Sequence, residues 1–549
     1  MIKDKKYFSF IIVLMLITTI IFYCYRCYFS PDGAGYYYLS LMFDGTVDFS
    51  NWWVVRGFSY PLYIFITTKI FGRTIFGVTT SLFISYFAMI CFAFFFCKKC
   101  IDEDSFNKNK YKILITLFLL LVVNPIILGY SHCVLTETVS TLLAFLAVYL
   151  SIKWYNEEDI KNVKKYLIYT SLYSCLFIIT WFVKQPYLII TIISICFSLL
   201  CTIIRKFNIK ELLIKISTIL LAFIFLFISL KLWNVQLNRY GLNDDNQRYM
   251  SNSLLNALRS YYYPIPDTDK CNIDFVESIK ITDLERNELI NRINNNKCEN
   301  FMILKISDLH HKEKEYKAIF YDENMTTFDS IKFVVKEIVN NPELVAVSYY
   351  NNYLATINLH EYFIDNGVYY SNDIFKSIEN ENLSLAIHPL KSGNVYWWWY
   401  YLLDHTYEEF EQNYPYAEHM KQFEQDKEYS ERVNNFIDFI YPVYSFIFKL
   451  LFLLSPFMML WHLVKFIRFK TNKDMVLTTI FGTAFLYILF YSVTGAIIDR
   501  YAYTYYPLLL TVVLIEKYDK NQIVEKRSSK NEERNKKSKR KSIICNTSI

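Results

Sequence analysis

The chain has 549 residues, of which 53% are hydrophobic and 19% aromatic, a composition too rich in apolar residues for an ordinary soluble domain. Its net charge is +6, and the excess of Lys and Arg lies largely in the last segment, 517–549. A basic run of this kind is typical of a disordered tail at a membrane surface, so we expect no nucleic-acid partner.

Apolar segments of about the length needed to cross a bilayer recur along the chain. The predicted spans are 7–24, 75–97, 113–128, 134–152, 166–183, 186–204, 214–233, 437–464, 475–497 and 505–516. The predicted fold class is mainly α, a polytopic membrane protein with a helical bundle of about ten spans. No small-residue cleavage site follows the first span, so we interpret it as an uncleaved helix.

Lys and Arg cluster before the first span and after the second, fourth, sixth, eighth and last spans. By the positive-inside rule, these segments face the cytoplasm. The protein is therefore expected to be a multi-pass protein of the cell membrane with both termini in the cytoplasm. The first loop, 25–73, and the long segment 234–436 then face outward.

This pattern predicts four parts. Residues 1–233 form an N-terminal membrane domain of seven spans, and residues 437–516 form a C-terminal membrane domain of three spans. Between them, residues 234–436 form an extracytoplasmic soluble insertion. Residues 517–549 form the basic cytoplasmic tail, which shows no apolar periodicity.

The insertion is predicted to be mostly helical, because apolar residues recur at helical spacing over 328–340 and Pro342 suits the first turn of a following helix. Cys271 and Cys298, the two cysteines of the insertion, are candidates for a disulfide in an oxidising compartment. The run Trp397–Trp399 is typical of an aromatic belt at the headgroups, with a platform for sugars or a polyprenyl chain as the alternative.

An acidic residue follows the first span directly. Asp32 precedes Gly33 and Gly35, which leave the backbone free to turn tightly. An aspartate here is either a turn former or a functional group, namely a general base for an acceptor hydroxyl or a ligand to a divalent cation. Asp44 and Asp48 in the same loop are alternatives for that role.

A second acid, Glu137, opens the fourth span at its outward end. Its carboxylate complements the positive end of a helix dipole, and an ionisable group near the membrane boundary is also a functional-site hypothesis. His132, a lone histidine at the entrance of this helix, is interpreted as structural.

Three cations of the predicted outward side run against the charge bias: Arg56, Lys184 and Arg500. A phosphate held at the membrane surface would explain them, since arginine matches phosphate oxygens bidentately. The alternatives are ion pairing, as with Asp499 beside Arg500, and snorkelling of long side chains.

Together these residues resemble the GT-C superfamily of integral-membrane glycosyltransferases, in the bacterial branch similar to protein O-mannosyltransferases and lipid A aminoarabinose transferases. The resemblance rests on four short segments: Asp32 with Tyr36, Arg56 with Tyr60-Pro61, Leu135-Thr136-Glu137, and Arg500-Tyr501 with Pro507.

The resemblance implies transfer of a sugar from a polyprenyl-phosphate-linked donor to an outward-facing acceptor (a cell-surface glycan, a lipid or a protein) with inversion. It implies catalytic roles for Asp32 and Glu137, membrane lipids as further partners, and substrate contacts from Tyr36, Arg56, Tyr60, Lys184, Arg500 and Tyr501. Many relatives carry a second acid where Gly33 stands, so that role falls to Glu137, Asp44 or Asp48. A divalent cation, Mg²⁺ or Mn²⁺, is left open, with no ligands assigned.

Two other function classes compete with this one. A polysaccharide polymerase or ligase would also need outward acids and cations, and only its donor separates it from a glycosyltransferase. A lipid or sugar transporter or flippase is typically built from inverted repeats with interrupted helices and charges near mid-span. The polar residues of this chain gather at the outward ends of the predicted spans, which favours surface chemistry.

Overall fold

The computed structural model describes residues 5–24, 31–46, 48–52, 56–73, 75–157, 162–205, 208–242, 327–340, 342–357, 427–494 and 499–518. Within these ranges the chain is almost entirely helical, with no strand. The predicted disulfide pair Cys271 and Cys298, the run Trp397–Trp399 and the tail beyond residue 518 lie outside them.

The helices of the N-terminal part are α1 (Lys5–Cys24), α2 (Pro31–Ser40), α3 (Ser59–Phe71), α4 (Ile75–Cys100), α5 (Glu103–Leu117), α6 (Pro125–His132), α7 (Glu137–Tyr155), α8 (Val163–Val183), α9 (Leu188–Arg205) and α10 (Ile209–Arg239). The later part contributes α11 (Thr327–Asn340), α12 (Pro342–Thr356), α13 (Lys427–Phe469), α14 (Asn472–Thr494) and α15 (Asp499–Tyr518). The predicted outward loop 25–73 is therefore not a plain loop, since α2 and α3 both lie within it.

Eight of the described helices are long and apolar enough to cross a membrane: α1, α4, α7, α8, α9, α10, α13 and α14. A ninth span follows if Glu103–Val122 and Pro125–His132, which meet at 57°, form one broken crossing. The break has a local cause, because Pro125 cannot continue the preceding helix. Asn124 instead caps α6 by accepting hydrogen bonds from the amides of Ile126 and Ile127. The chain is a helical membrane protein, and the predicted tenth span does not meet the same criterion.

Helix α15, which contains the predicted tenth span, is largely enclosed by protein. It packs against α4, α5, α6, α7, α12 and α14. Three of its tyrosines, its four leucines and both of its threonines are completely buried: Tyr503, Thr504, Tyr505, Tyr506, Leu508, Leu509, Leu510, Thr511 and Leu514. A helix surrounded by protein need not dissolve in lipid, which explains why a polar sequence is tolerated here.

The helix ends gather at two opposite ends of the bundle. At one end, called here the Glu137 end, lie the start of α7, the turn between α8 and α9, and the start of α15. At the other, the Glu516 end, His462 Nε2 lies 2.8 Å from Glu516 Oε1 and Lys470 Nζ donates to the Arg205 carbonyl at 3.1 Å. The lysine-rich loops of the predicted cytoplasmic side belong to the Glu516 end.

Two described helices of the insertion bear out the sequence pattern, with α11 covering Thr327–Asn340 and α12 starting at Pro342. Helix α12 is attached to the bundle. The Asn352 side-chain amide donates to the Ser492 carbonyl at 2.9 Å, near the end of α14, where backbone carbonyls lack helical partners. The Tyr353 hydroxyl donates to the Phe452 carbonyl of α13, also at 2.9 Å.

Candidate functional site

Glu137 is the first residue of α7 and its side chain has no exposed surface. Two donors converge on its Oε1 atom: the Tyr187 hydroxyl at 3.1 Å and Lys184 Nζ at 3.3 Å. The Thr136 hydroxyl faces Oε2 at 3.4 Å. These donors and the positive end of α7 satisfy the buried carboxyl group.

Lys184 lies in the short connection between α8 and α9, as the sequence predicted. Its backbone is extended, and Pro186 in the following 3₁₀ turn prevents α8 from running on into α9. The ammonium lies 4.4 Å from the centre of the Tyr501 ring, so it has a carboxylate and an aromatic face as neighbours. The Lys184 side chain is 10% exposed.

Tyr501, the third residue of α15, connects this pair to the C-terminal helices. Its ring stacks on Tyr491 of α14 with centroids 4.4 Å apart and planes 8° from parallel. Its carbonyl accepts a hydrogen bond from the Tyr487 hydroxyl at 3.1 Å. Residues far apart in the chain thus form one buried group, which we call the Lys184 cluster: Glu137, Lys184, Tyr187, Tyr491 and Tyr501.

A second group forms around Arg56. Its Nη1 atom donates to the Tyr36 hydroxyl at 3.0 Å, and the guanidinium lies 5.1 Å from the centre of the same ring. Tyr60 packs edge-on against Tyr36 with centroids 5.0 Å apart. The Trp52 indole holds the Arg56 carbonyl at 3.1 Å. The three residues predicted from the first loop therefore contact one another, and the guanidinium is half-buried.

Two glycines bring the two groups together. A side chain at Gly33 would collide with the Val134 carbonyl, and one at Gly57 would collide with the backbone of Phe182. The absence of a Cβ therefore lets α2 approach the turn before Glu137 and lets the Arg56 segment approach the end of α8. Both cations lie at the Glu137 end, on segments in direct contact.

Comparison with protein-family models, characterised proteins and solved structures finds no match to this chain. The GT-C resemblance therefore remains a prediction, and the geometry of the site carries the functional argument.

Two predicted site residues are placed by their backbone alone. Asp32 is the second residue of α2, directly before Gly33 and its contact with Val134. Arg500 is the second residue of α15, directly before Tyr501. Their side chains lie outside the described part of the structure, but both helix starts belong to the Glu137 end.

The alternative acids of the first loop have structural partners. Asp44 forms an ion pair with Arg73 and accepts a hydrogen bond from the Thr46 hydroxyl at 2.7 Å. Asp48 caps a 3₁₀ turn by accepting from the Ser50 amide at 2.7 Å, a bond that holds the pKa of its carboxyl below the usual value. None of these contacts involves a residue of the Lys184 cluster.

His132 has a structural role, as expected. It is completely buried, with Nδ1 2.6 Å from the Leu128 carbonyl and Nε2 2.9 Å from the Phe22 carbonyl. Its ring also stacks on Phe22 with centroids 3.9 Å apart. The histidine therefore links α6 to α1.

Tyr187 and Arg73 were not predicted from the sequence. Tyr187 stands in the same turn as Lys184, directly after Pro186, and this shared turn was the available signal. Arg73 was a further basic residue of the first loop, and its pairing with Asp44 removes that acid from the candidates.

Among the described side chains, which do not include that of Asp32, no group of three or more His, Cys, Asp or Glu residues could hold a metal ion. Glu137 Oε1 faces an ammonium and a hydroxyl donor, which is the environment of an anion and not of a metal ligand.

Proposed function

We propose that this chain is a membrane glycosyltransferase of the GT-C type, which transfers a sugar from a polyprenyl-phosphate donor to an acceptor hydroxyl outside the cytoplasm. The single observation that carries the proposal is Lys184, a nearly buried cation held at one end of the bundle by Glu137 and Tyr501. The acceptor is a cell-surface glycan, a lipid or a protein.

Lys184 supplies the charge that a phosphate leaving group needs. As the bond from the anomeric carbon to the phosphate oxygen breaks, negative charge accumulates on that oxygen. A cation already fixed beside it stabilises this charge without reorganisation. The contacts to Glu137 and Tyr501 hold the ammonium in place, and in the proposed site the phosphate approaches through the exposed part of the side chain, which is 10% of its surface.

Arg56 is a second cation for the same phosphate or for the sugar. Its guanidinium is oriented by the Tyr36 hydroxyl, and its segment contacts the end of α8 through Gly57. A planar guanidinium can donate two parallel hydrogen bonds to phosphate oxygens. Arg500, at the start of α15, is the third cation of the proposed donor site.

Asp32 is the proposed general base. It removes the proton of the acceptor hydroxyl while the acceptor oxygen bonds to the anomeric carbon. The bond to the phosphate breaks in the same step, and the polyprenyl phosphate leaves with the electron pair. Attack opposite the leaving group inverts the anomeric carbon. General base catalysis of this kind contributes roughly 10²–10⁴-fold.

Glu137 is better suited to positioning than to contact with substrate. Its carboxylate is fully buried and its Oε1 atom already accepts from Lys184 and Tyr187. In the proposed mechanism it fixes the Lys184 ammonium, and Asp32 alone transfers the proton.

The proposed topology has ten crossings, with the broken helix pair counted as one and α15 as the last. The Glu137 end then faces away from the cytoplasm, and both termini are cytoplasmic. The lysine-rich loops at the Glu516 end support this orientation.

The placement of charge also bears on the transporter alternative. The most buried ion pairs among the described residues lie toward the ends of the bundle: Glu137 with Lys184 at one end, and His462 with Asp474 and Lys215 with Glu211 at the other. A transport pathway is expected to place such groups near mid-span. A polymerase or ligase would use the same cations and differs only in its donor.

The test is transfer from a panel of polyprenyl-phosphate sugars by purified protein in detergent. Lys184→Met should lower kcat by roughly 10²–10³-fold, the effect of losing one preorganised electrostatic contact. Lys69→Met, an exposed lysine of α3, is the matched control and should leave transfer unchanged.

Lys184→Met alone leaves Glu137 buried without its cation and could unfold the site. The double variant Lys184→Met with Glu137→Gln removes both charges and should fold, yet still transfer poorly. Wild-type turnover in a folded double variant would refute the proposed function.

A further inference from the structure

Helix α11 of the insertion has an apolar face that is exposed. Its residues recur at helical spacing along one side, with exposed fractions between 44% and 74%: Phe328, Ile331, Val335, Ile338 and Val339. We call this face the α11 stripe. Single exposed apolar residues are common on proteins, but a continuous face along a whole helix indicates an apolar partner.

The edges of the stripe differ. On one edge, Val334 is buried, and among the described helices it is α12 that packs against α11. On the other edge lie two exposed lysines, Lys332 and Lys336. Lys332 Nζ lies 4.5 Å from the centre of the Phe328 ring, so its stem follows the apolar face while its charge stays at the border.

Helix α12 attaches α11 to the membrane-spanning helices. Its Asn352 binds the Ser492 carbonyl near the end of α14, and the Tyr353 ring packs against Phe485, in the second half of α14, with centroids 6.2 Å apart. The Asn352 contact lies in the last turn of the membrane-spanning helix α14, at the Glu137 end, and Phe485 lies deeper along the same helix. Helix α12 is therefore docked on the Glu137 half of α14, and α11 is packed on α12.

The Glu137 half of α13, one of the helices long and apolar enough to cross a membrane, also exposes large apolar side chains: Phe439, Val443 and Phe446 are 58–81% exposed. Exposed apolar faces therefore occur both on this half of the bundle and on the α11 stripe.

We propose that the α11 stripe lies in the headgroup–acyl boundary of the leaflet at the Glu137 end, as an interfacial helix that anchors the insertion to the bilayer. A helix with an apolar face and bordering lysines is suited to this boundary, because its side chains enter the acyl region while the ammonium groups reach lipid phosphates. A protein partner would not require lysines along the border. This inference does not depend on the proposed enzymatic activity.

The experiment is site-specific photo-crosslinking of the full chain reconstituted in phosphatidylcholine–phosphatidylglycerol vesicles that contain an alkyne-tagged phospholipid. The photoreactive residue p-benzoylphenylalanine replaces Val335 in one variant and Lys336 in another. These adjacent positions point about 100° apart on a helix. Replacement of Phe227, which is 66% exposed on the membrane-spanning helix α10, is the positive control.

Position 335 should form lipid adducts at a yield close to that of position 227, and several-fold above that of position 336. An adduct from position 335 to a protein segment, in the same chain or in another, would overturn the proposal, because the stripe would then be covered by protein. Absence of any adduct at 335 while position 227 reacts would also overturn it, since the stripe would then face water.

Discussion

Glu137→Gln keeps the size and shape of the side chain and removes its charge. The Lys184 ammonium would then remain nearly buried beside a neutral amide. At the observed 3.3 Å, and with an effective dielectric constant of about 20, the two charges attract by about 5 kcal/mol. Breaking a buried pair by removing one partner costs about 3–5 kcal/mol. We expect the free energy of unfolding to fall by a similar amount.

The assay is a double-mutant cycle with Glu137→Gln, Lys184→Met and the double variant, each purified in the same detergent. The fraction folded is followed during titration with a denaturing detergent. Each single variant leaves one buried charge without its partner, whereas the double variant leaves none. The double variant should therefore be more stable than the sum of the single losses predicts.

The cycle has a clear negative outcome. If the losses of the two single variants simply add in the double variant, the charges are not coupled and the contact is not an energetic unit. Glu137 could then not be the group that fixes the Lys184 ammonium, and the positioning role proposed for it would be wrong.

Three further predictions concern the acid, the third cation and the topology. Asp32→Asn should abolish sugar transfer with donor binding nearly unchanged. The control Asp44→Asn, which removes the charge that pairs with Arg73, should keep transfer. Wild-type turnover of the Asp32→Asn variant would show that Asp32 is not the general base. Arg500→Ala should lower kcat/KM for the donor by an amount equivalent to about 1.5–3 kcal/mol, through a higher KM or a lower kcat. Unchanged kinetics would mean that Arg500 does not bind the donor phosphate. Reporter fusions at positions 300 and 530 should lie on opposite sides of the membrane, and the same sidedness at both would contradict the topology.

The individual members of the site were predictable, but their pairing was not. Glu137 and Lys184 each stand at a predicted span end, where a charge is conspicuous in an apolar sequence. The contact between Lys184 and Glu137 depends on how α7, α8 and α9 pack together. No local sequence pattern encodes that packing. Tyr187 was overlooked for the same reason, because a tyrosine is common in this chain and only its position beside Glu137 distinguishes it.

The spans illustrate a second limit. Hydropathy finds helices that face lipid, and α1, α4 and α10 follow the predicted segments closely. The span predicted for α15 from hydropathy was too short because the start of that helix is polar. In the structure the helix extends over Asp499–Tyr518 inside the protein. The break at Asn124 was also missed, since the apolar run continues on both sides of the capping residue.

The enclosure of α15 bears on how the protein is assembled during synthesis. Of the described helices it is the last to leave the ribosome, yet the others surround it. Its tyrosines and threonines give it little tendency to enter lipid by itself, so its insertion must rely on surfaces that the earlier helices have already formed. Since Tyr501 near its start completes the surroundings of Lys184, the site is assembled only when this last helix docks. Incompletely synthesised chains would therefore be inactive even when every earlier span has inserted correctly.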